Sequence, residues 1–424
     1  MKAVFISLGC DKNTTDSEKI FKLFIKQTGA VAVLNPEEAD VAIINTCSFI
    51  RDAKKESIDY IKYLISLKKS KKLKKILVLG CLASLNDKTH EYDKLFKDCD
   101  VVLSLDRYLQ ELDKCNDRMT DILSFSSFIK VCDGCNKFCS YCIIPYLRGR
   151  IKSNAKDNII SEVKKLALSG TKELSIVGQD ILNYGYDLLE YSGVKRPIVD
   201  LVNDISKVDG IEWIRLLYCY PEDVDDEVIS LLKDNHKVLP YIDIPIQHSS
   251  DKILKLMNRK TTRESIKQTI QKLRENIPDI CIRTTIMVGF PGESEDDFSD
   301  LLSFVREMKF DKLGVFTYSR EELSKSYDLP NQVDEKIKNE RKRIILNEQK
   351  KIVEEINKAK ANKVYYSIVE GKVGENKYLV RPYFNARNID DKVYALTNEE
   401  LISGTFVNVE IKKVKGYDLE GVIV

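Results

Sequence analysis

Histidine is almost missing from this 424-residue chain, which has only His90, His236 and His248, together with one tryptophan, five methionines and ten prolines. Imidazole cannot dominate a metal site here, so any metal must rest mainly on sulfur. Scarce proline and only 18 glycines exclude a collagenous or low-complexity chain, and 32% charged with 43% apolar residues is the composition of a globular protein. No uninterrupted apolar run approaches the ~18 residues a membrane helix needs. Met1–Leu8 is too short and too strand-like for a signal peptide. The expectation is a cytoplasmic protein with no membrane partner. Excess charge is missing too, and a net +2 predicts no global attraction to nucleic acid.

Cysteine, by contrast, is plentiful, with 11 in the chain. A cytoplasmic compartment keeps thiols reduced, so clustered cysteines point to metal binding or catalysis and not to a disulfide framework. Four of them fall in "CDGCNKFCSYC", Cys132–Cys142. Taken together they form C-x2-C-x3-C-x2-C, a set suited to zinc or a closed iron–sulfur cluster. Cys135, Cys139 and Cys142 alone form C-x3-C-x2-C, which covers three corners of a four-iron cluster and leaves one iron without a protein ligand. The strand reading puts Cys132 at a strand's end, before the loop proper, and so outside the set. Cys99, Cys115, Cys219 and Cys281 are isolated and read as small buried or half-buried residues.

The fold class is α/β and multidomain. Apolar runs at Val4–Leu8, Val41–Ile44 and Ile76–Leu79 predict buried parallel strands, with helices near Thr15–Gln27 and Ala53–Leu67, so residues 1–116 form a small parallel α/β domain. Each run is followed closely by a cysteine, Cys10, Cys47 and Cys81, and ligands in open parallel sheets gather beyond the strands' carboxyl ends. Phe128–Val131, Leu174–Val177, Trp213–Leu217, Tyr241–Ile244, Cys281–Met287 and Lys312–Tyr318 predict six more parallel strands with crossover helices. They give residues 121–352 as an incomplete (β/α)6 barrel with its site at the carboxyl ends. Residues 331–357 read as a charged helix with an apolar stripe of Val333, Ile337, Ile344, Ile345, Ile352, Val353 and Ile356. Residues 357–424 read as a small all-β barrel, OB-like or similar. The lysine run at 68–75 reads as a solvated face.

C-x3-C-x2-C with an aromatic, Tyr141, before its last cysteine resembles the signature of the radical S-adenosylmethionine superfamily. The following "IIPYLRGRIKS" (Ile143–Ser153) and the three upstream cysteines narrow the resemblance to the methylthiotransferases. "SLGCDKNTTDSE" (Ser7–Glu18) is similar to the RimO type, which modifies an aspartate of a small-subunit ribosomal protein. "INTCSFIRDAKKES", "LPYIDIPIQHSS", "RTTIMVGFPGE", "LPNQV", "VRPYFNA" and "GYDLEG" read the same way, so the resemblance covers essentially the whole chain.

That resemblance implies S-adenosyl-L-methionine and two [4Fe-4S] clusters as cofactors. Cys135, Cys139 and Cys142 would hold the cluster that cleaves S-adenosylmethionine to a deoxyadenosyl radical, chemistry that side chains cannot supply. Cys10, Cys47 and Cys81 would hold a second cluster concerned with the inserted sulfur. The C-terminal barrel becomes a TRAM domain concerned with substrate recognition. The implied partners are ribosomal protein uS12 and an electron donor such as flavodoxin or ferredoxin, with nucleic acid only incidental. Tyr141 is expected near the adenine, Gln179 and Asp180 of "IVGQD" beside the cofactor amine, Gln247 just after the fourth barrel strand and Arg283 on the fifth, where it could meet a carboxylate. Gly289 and Phe290 of "GFPGE" suit close backbone approach to the ribose or adenine, and no lysine–serine pair follows to make a phosphate loop. His248 is not expected to ligate metal.

The chain departs from the family's wording at Asp11, where proline is usual, at Asn154, at "EELS" (Glu321–Ser324) and at Cys132. Two alternatives stay open. One is a methylthiotransferase acting on a tRNA adenosine; residues 361–424 balance nine Lys/Arg against nine Asp/Glu, which lacks the basic excess of an RNA-binding barrel. The other is a zinc-binding adaptor without catalysis.

Overall fold

The structure is a computed structural model that describes residues 1–105, 107, 118–119 and 124–424. Cys115 and the expected domain limits at 116 and 121 lie outside the described residues. The N-terminal unit alternates β1 (Lys2–Ser7), α1 (Asp11–Thr28), β2 (Val31–Val33), β3 (Val41–Thr46), α2 (Arg51–Lys69), β4 (Lys75–Gly80), α3 (Cys81–Thr89), α4 (Asp93–Phe96) and β5 (Val101–Leu103). Its five strands are parallel, in the order β2-β1-β3-β4-β5. The central strand β3 is buried along its whole length, which is why it reads as a continuous apolar run and not as an alternation. The edge strands β2 and β5 have three residues each, too few to carry a period, and the sequence reading passed over them.

The central unit contains β6 (Ser126–Lys130), β7 (Cys132–Asp133), α5 (Ile144–Arg148), β8 (Lys152–Ser153), α6 (Lys156–Leu168), β9 (Glu173–Val177), α7 (Pro197–Ser206), β10 (Trp213–Leu216), α8 (Asp226–Asp234), β11 (Val238–Asp243), α9 (Asp251–Leu256), α10 (Arg263–Asn276), β12 (Cys281–Val288), α11 (Glu295–Met308) and β13 (Lys312–Thr317). β6, β9, β10, β11, β12 and β13 lie side by side in sequence order, all parallel. This is the open six-stranded barrel expected. α12 (Glu335–Lys358) follows, and then β14 (Val364–Gly374), β15 (Lys377–Pro382), β16 (Val393–Leu396), β17 (Phe406–Lys415) and β18 (Asp418–Ile423) close into a small barrel.

α12 differs from its predicted stripe. Ile337 is exposed, whereas Lys338, Arg341, Gln349 and Asn357 face inward with Ile345, Ile352 and Val353. The buried polar ends find carbonyls: Lys338 Nζ donates to Tyr318 O at 3.1 Å, Gln349 Nε2 to Phe310 O at 2.7 Å and Asn357 Nδ2 to Tyr417 O at 3.1 Å. Hydrogen bonds to a fixed backbone let polar residues occupy a packed helix face, which apolar periodicity cannot register. The helix also runs unbroken through 352–357, between the two expected domains. In the lysine run, Lys68, Lys69, Lys72 and Lys74 pair with Asp100, Asp98, Glu37 and Asp40 at the domain's rim.

The two flanking units occupy opposite ends of the barrel. The N-terminal unit meets the carboxyl ends of the strands, where Lys130, the last residue of β6, pairs with Asp16 of α1. The C-terminal barrel meets the amino ends. There Glu173, the first residue of β9, accepts from Arg215 Nη2 at 3.2 Å, Arg381 Nη1 at 2.7 Å and Ser126 Oγ at 2.8 Å. Tyr241 and Lys312 donate to Asp390 and Asp391 at 2.8 and 2.5 Å.

Burial alone would raise the pKa of Glu173, but the Arg381 and Arg215 guanidiniums outweigh it and bring the carboxyl down to about 2. Removing one member of a buried ionic set leaves the others uncompensated and costs about 3–5 kcal/mol. Glu173→Gln is therefore expected to destabilise the junction by that amount, read from denaturant unfolding through Trp213, the chain's one tryptophan, which packs among residues of the C-terminal barrel. Because the folded pKa lies below the unfolded value of about 4.3, the stabilisation is complete above that pH and is lost as pH falls toward 2. Acid-insensitive Trp213 emission across that window would contradict this assignment.

Candidate active site

The sequence-distant cysteines 10, 47 and 81 converge because β1, β3 and β4 are adjacent parallel strands whose carboxyl ends share one edge. Side-chain amides and hydroxyls then fix their loops. Asn13 Nδ2 donates to Leu8 O at 2.9 Å and to Thr46 O at 3.1 Å, joining the loop of Cys10 to that of Cys47. Thr46 Oγ1 donates to Leu79 O at 2.5 Å and accepts from Leu82 N at 3.2 Å, joining Cys47 to Cys81. Ser57 holds both backbone groups of Cys47, at 3.0 and 2.8 Å. Cys10 caps α1 and Cys81 opens α3, so two helix amino ends, each a partial positive charge, point toward the thiols.

Glycine is required at these turns. A Cβ on Gly9 would lie 2.6 Å from Cys47 Cβ and 2.8 Å from its Sγ. Gly80, at φ 95° and ψ −157°, occupies a region open to glycine alone, and a Cβ there would meet Thr46 O at 2.6 Å. Burial, and then repulsion from Cys81 and Cys10, pushes the Cys47 thiol up to about 12. Cys81 is raised by burial against the pull of Arg148.

The second triad lies on the loop after β7. Cys135 N donates to Gly149 O at 3.2 Å and Cys142 N to Cys139 O at 3.0 Å. Ser140 N and Oγ donate to Met257 O and Leu256 O at 2.9 and 2.7 Å, and Asn258 Nδ2 donates to Phe138 O at 2.9 Å. Burial raises the Cys135 thiol to about 11 and lifts Cys142 as well. Cys132 is elsewhere: fully buried in the barrel core, its Sγ donates to Asp180 O at 3.7 Å and packs against Gly178.

Among the described residues, no three His, Cys, Asp or Glu side chains converge tightly enough to chelate a single ion. A lone zinc would draw its thiolates to about 2.3 Å, whereas a four-iron cluster gives each thiolate its own iron and asks for a wider spread. Three cysteine thiols in each set are the donor chemistry of such a cluster.

Of the other expected residues, Tyr141 sits against Cys139 and Cys142 and packs with Met287, Phe290 and Tyr318. Gln179 Oε1 is buried and has no hydrogen-bond partner among the described residues. Asp180 accepts from Asn183 at 3.0 Å, and burial raises its carboxyl to about 6. Gln247 bridges to β12 through its backbone, at φ 68°. His248 accepts from Ser250 N at 2.9 Å, with Glu293 3.9 Å from its other nitrogen, and burial pushes its pKa down to about 4.

Two of the expected residues have partners within the chain. The carboxylates that Arg283 meets are the protein's own, Asp243 at 2.9 Å and Asp390 at 3.6 Å, because the residue lies within the barrel lumen. At Gly289 the close approach is made by Lys338, whose Cδ would lie 3.0 Å from an added Cβ. The loop's amides at Gly289 and Phe290 are taken by Glu293, which Arg341 holds at 2.9 Å.

Four residues were not singled out in the sequence. Arg148 donates to Asn13 Oδ1 at 2.6 Å, to Asp133 at 2.7 Å and toward Cys81 Sγ at 3.8 Å. Arg259 donates to Pro245 O at 2.9 Å, reaches toward Cys139 Sγ at 4.0 Å and lies over the Tyr220 ring. Each triad thus has one buried guanidinium beside a sulfur. After β10, Tyr218 touches the first triad's side, with Lys12 over its ring and its hydroxyl on Asp11 at 3.3 Å. Two residues on, the Tyr220 hydroxyl lies 3.9 Å from Cys135 Sγ. "YCY" gives no periodic signal, but two polar aromatics at a barrel strand's carboxyl end are a legible cue.

The site and fold together define a radical S-adenosylmethionine enzyme. The Radical SAM superfamily matches residues 129–305, the Uncharacterized protein family UPF0004 residues 2–104 and the TRAM domain residues 363–424. A radical S-adenosylmethionine methyltransferase, TsrM from Kitasatospora setae, shares the fold at a TM-score of 0.51 and 11% identity over 77% of each chain. The chain is 42% identical to the ribosomal protein uS12 methylthiotransferase RimO of Clostridioides difficile, over 99% of this chain and 98% of that one, and 41% identical to that of Acetivibrio thermocellus, over 100% and 98%. It belongs to the RimO methylthiotransferase family, which does not favour the tRNA-acting and zinc-adaptor alternatives.

Gly80→Ala is expected to cost about 3 kcal/mol from backbone strain. It should also speed labelling of Cys81, 4% exposed, by a thiol reagent in the metal-free chain. Unchanged labelling and stability would show that the turn does not set the triad.

Proposed function

We propose that the chain adds a methylthio group to the β-carbon of an aspartate in ribosomal protein uS12, using two [4Fe-4S] clusters and S-adenosylmethionine. The observation that carries this reading is the pair of cysteine triads, one on each side of the segment Tyr218–Tyr220. When bound, a cluster on Cys135, Cys139 and Cys142 supplies the electron that cleaves S-adenosylmethionine and so gives access to an unactivated C–H bond. Cys10, Cys47 and Cys81 would hold the second.

The chain's own residues do the rest. Tyr141 and Met287, packed against a cluster that holds the fully buried Phe290, offer an apolar face for the adenine, and the orphaned Gln179 Oε1 can accept from the cofactor ammonium. Arg148 and Arg259 place positive charge beside the sulfurs, which steadies the negative charge of a thiolate-bound cluster. Because the C-terminal barrel lies at the strands' amino ends, any recognition there concerns a part of the substrate remote from the reacting carbon. A small flavin or iron–sulfur protein would serve as electron donor. Among the described residues no helix is long and apolar enough to cross a membrane, and we place the enzyme in the cytoplasm with its ribosomal substrate.

Anaerobic reconstitution should load about eight irons per chain. Cys47→Ala and Cys139→Ala should each remove about half, and Cys132→Ala none. With reductant, S-adenosylmethionine and uS12, deoxyadenosine should form and the protein should gain a methylthio group on one aspartate, by mass spectrometry. Tightly held zinc without iron, or the methylthio group found on a tRNA adenosine, would overturn the reading.

A further inference from the structure

Of the buried cations around the two triads, Lys12 alone makes neither a hydrogen bond nor an ion pair among the described residues. Lys130 pairs with Asp16 and Asp133, Arg148 with Asp133, and Arg259 donates to Pro245 O. Lys12 is 6% exposed, and its Nζ lies 3.1 Å from the centre of the Tyr218 ring. The ring covers one side of the ammonium but supplies no counter-charge. The carboxylates nearby are committed elsewhere. Asp11 accepts from the Tyr218 hydroxyl at 3.3 Å, and Asp243 accepts from Arg283 at 2.9 Å and Tyr218 N at 3.2 Å. Cys10, Asp11 and Asp243 stand near enough to favour its charge, but none bonds to it. An ammonium withdrawn from water with no hydrogen-bonded counter-ion is costly, so its retention points to an anion brought by a ligand.

We propose that Lys12 is the binding residue for the side-chain carboxylate of the substrate aspartate. The inference rests on the aspartate-modifying reading above and adds how that side chain is recognised. In aspartate the β-carbon is bonded directly to the carboxylate carbon. A grip on the carboxylate therefore sets the reacting C–H within one bond length, and positioning of that kind is a large part of a catalyst's advantage. Lys12 stands two residues from Cys10 and over Tyr218, on the side of the N-terminal triad. The carboxylate of S-adenosylmethionine would belong with Tyr141 and the Cys135 triad, on the other side of Tyr218–Tyr220. A charge-assisted bond of this type also rejects asparagine, which offers a neutral amide of the same shape.

The test compares binding of uS12 and of uS12 with its target aspartate changed to asparagine, to the full-length reconstituted chain with S-adenosylmethionine present. The wild-type chain should prefer the aspartate form by about tenfold or more. Lys12→Gln should abolish that preference and Lys12→Arg should restore part of it, with iron per chain and affinity for S-adenosylmethionine unchanged in both. Retention of the preference in Lys12→Gln, or its absence in the wild type, would overturn the inference. So would a preference that survives while iron content or cofactor affinity falls, since the charge would then serve the cluster or the cofactor. If the wild-type chain places no methylthio group on uS12, the functional reading itself fails, and that outcome is separate from a wild type that modifies uS12 but does not need Lys12.

Discussion

The arrangement of this enzyme depends on a buried ionic junction between its N-terminal and central units. Asp16 on α1 and Asp133 at the end of β7, just before the second triad's loop, share Lys130 and Arg148, and all four side chains are at most 14% exposed. Burial alone would raise the Asp133 carboxyl, but Lys130 and Arg148 hold it well below the usual carboxylate range. Charges so placed tolerate little displacement, because a shift that separates one pair leaves each partner buried and uncompensated. The junction therefore helps fix where one cysteine triad stands relative to the other, together with Ile143 and Leu147, which carry the barrel unit's chain into the apolar core of the N-terminal unit.

Arg148 links this junction to the chemistry. The same guanidinium that binds Asp133 also holds Asn13, whose amide braces the loops of Cys10 and Cys47, and reaches toward Cys81. One side chain thus ties a barrel loop to all three loops of the N-terminal triad. On the opposite side, Tyr218–Tyr220 performs a similar joining from a single strand end, with Cys219 between the tyrosines turned into the core. The space between the triads is accordingly walled by residues from both units, and neither unit alone contains it.

Much of this was legible in the sequence, for a physical reason. Parallel strands buried on both faces read as apolar runs, and the cysteines that end Val4–Leu8, Val41–Ile44 and Ile76–Leu79 had to share an edge once those runs paired. The barrel's six strands were readable in the same way. What escaped was carried by single polar residues whose partners are far away in sequence: Arg148 with Asn13, Arg259 with Cys139, Lys12 with Tyr218. A lone cation among 68 lysines and arginines has no period to betray it. Arg283 and Gly289 show the converse. Each occupies a position where a cofactor contact is chemically reasonable, but the lumen already holds Asp243 and Asp390, and α12 already presses Lys338 against the loop.

The two ends of the barrel are also electrically joined. From Asp11 at the N-terminal unit, the lumen continues through Tyr218 and Asp243 to Arg283, and from there to Asp390 of the C-terminal barrel. Each link is a hydrogen bond or an ion pair within reach of the next, in a space from which water is largely excluded, where such contacts are strong and unpaired groups costly. Asp390 also accepts from Tyr241 and from the Ala386 amide, so its own position is tightly set. A displacement of the C-terminal barrel would therefore disturb Arg283, and through Asp243 the backbone at Tyr218, against which Lys12 rests. The closed β-barrel at one end and Asp11, beside Cys10, at the other are far apart in the fold, but the polar contacts between them form one continuous chain.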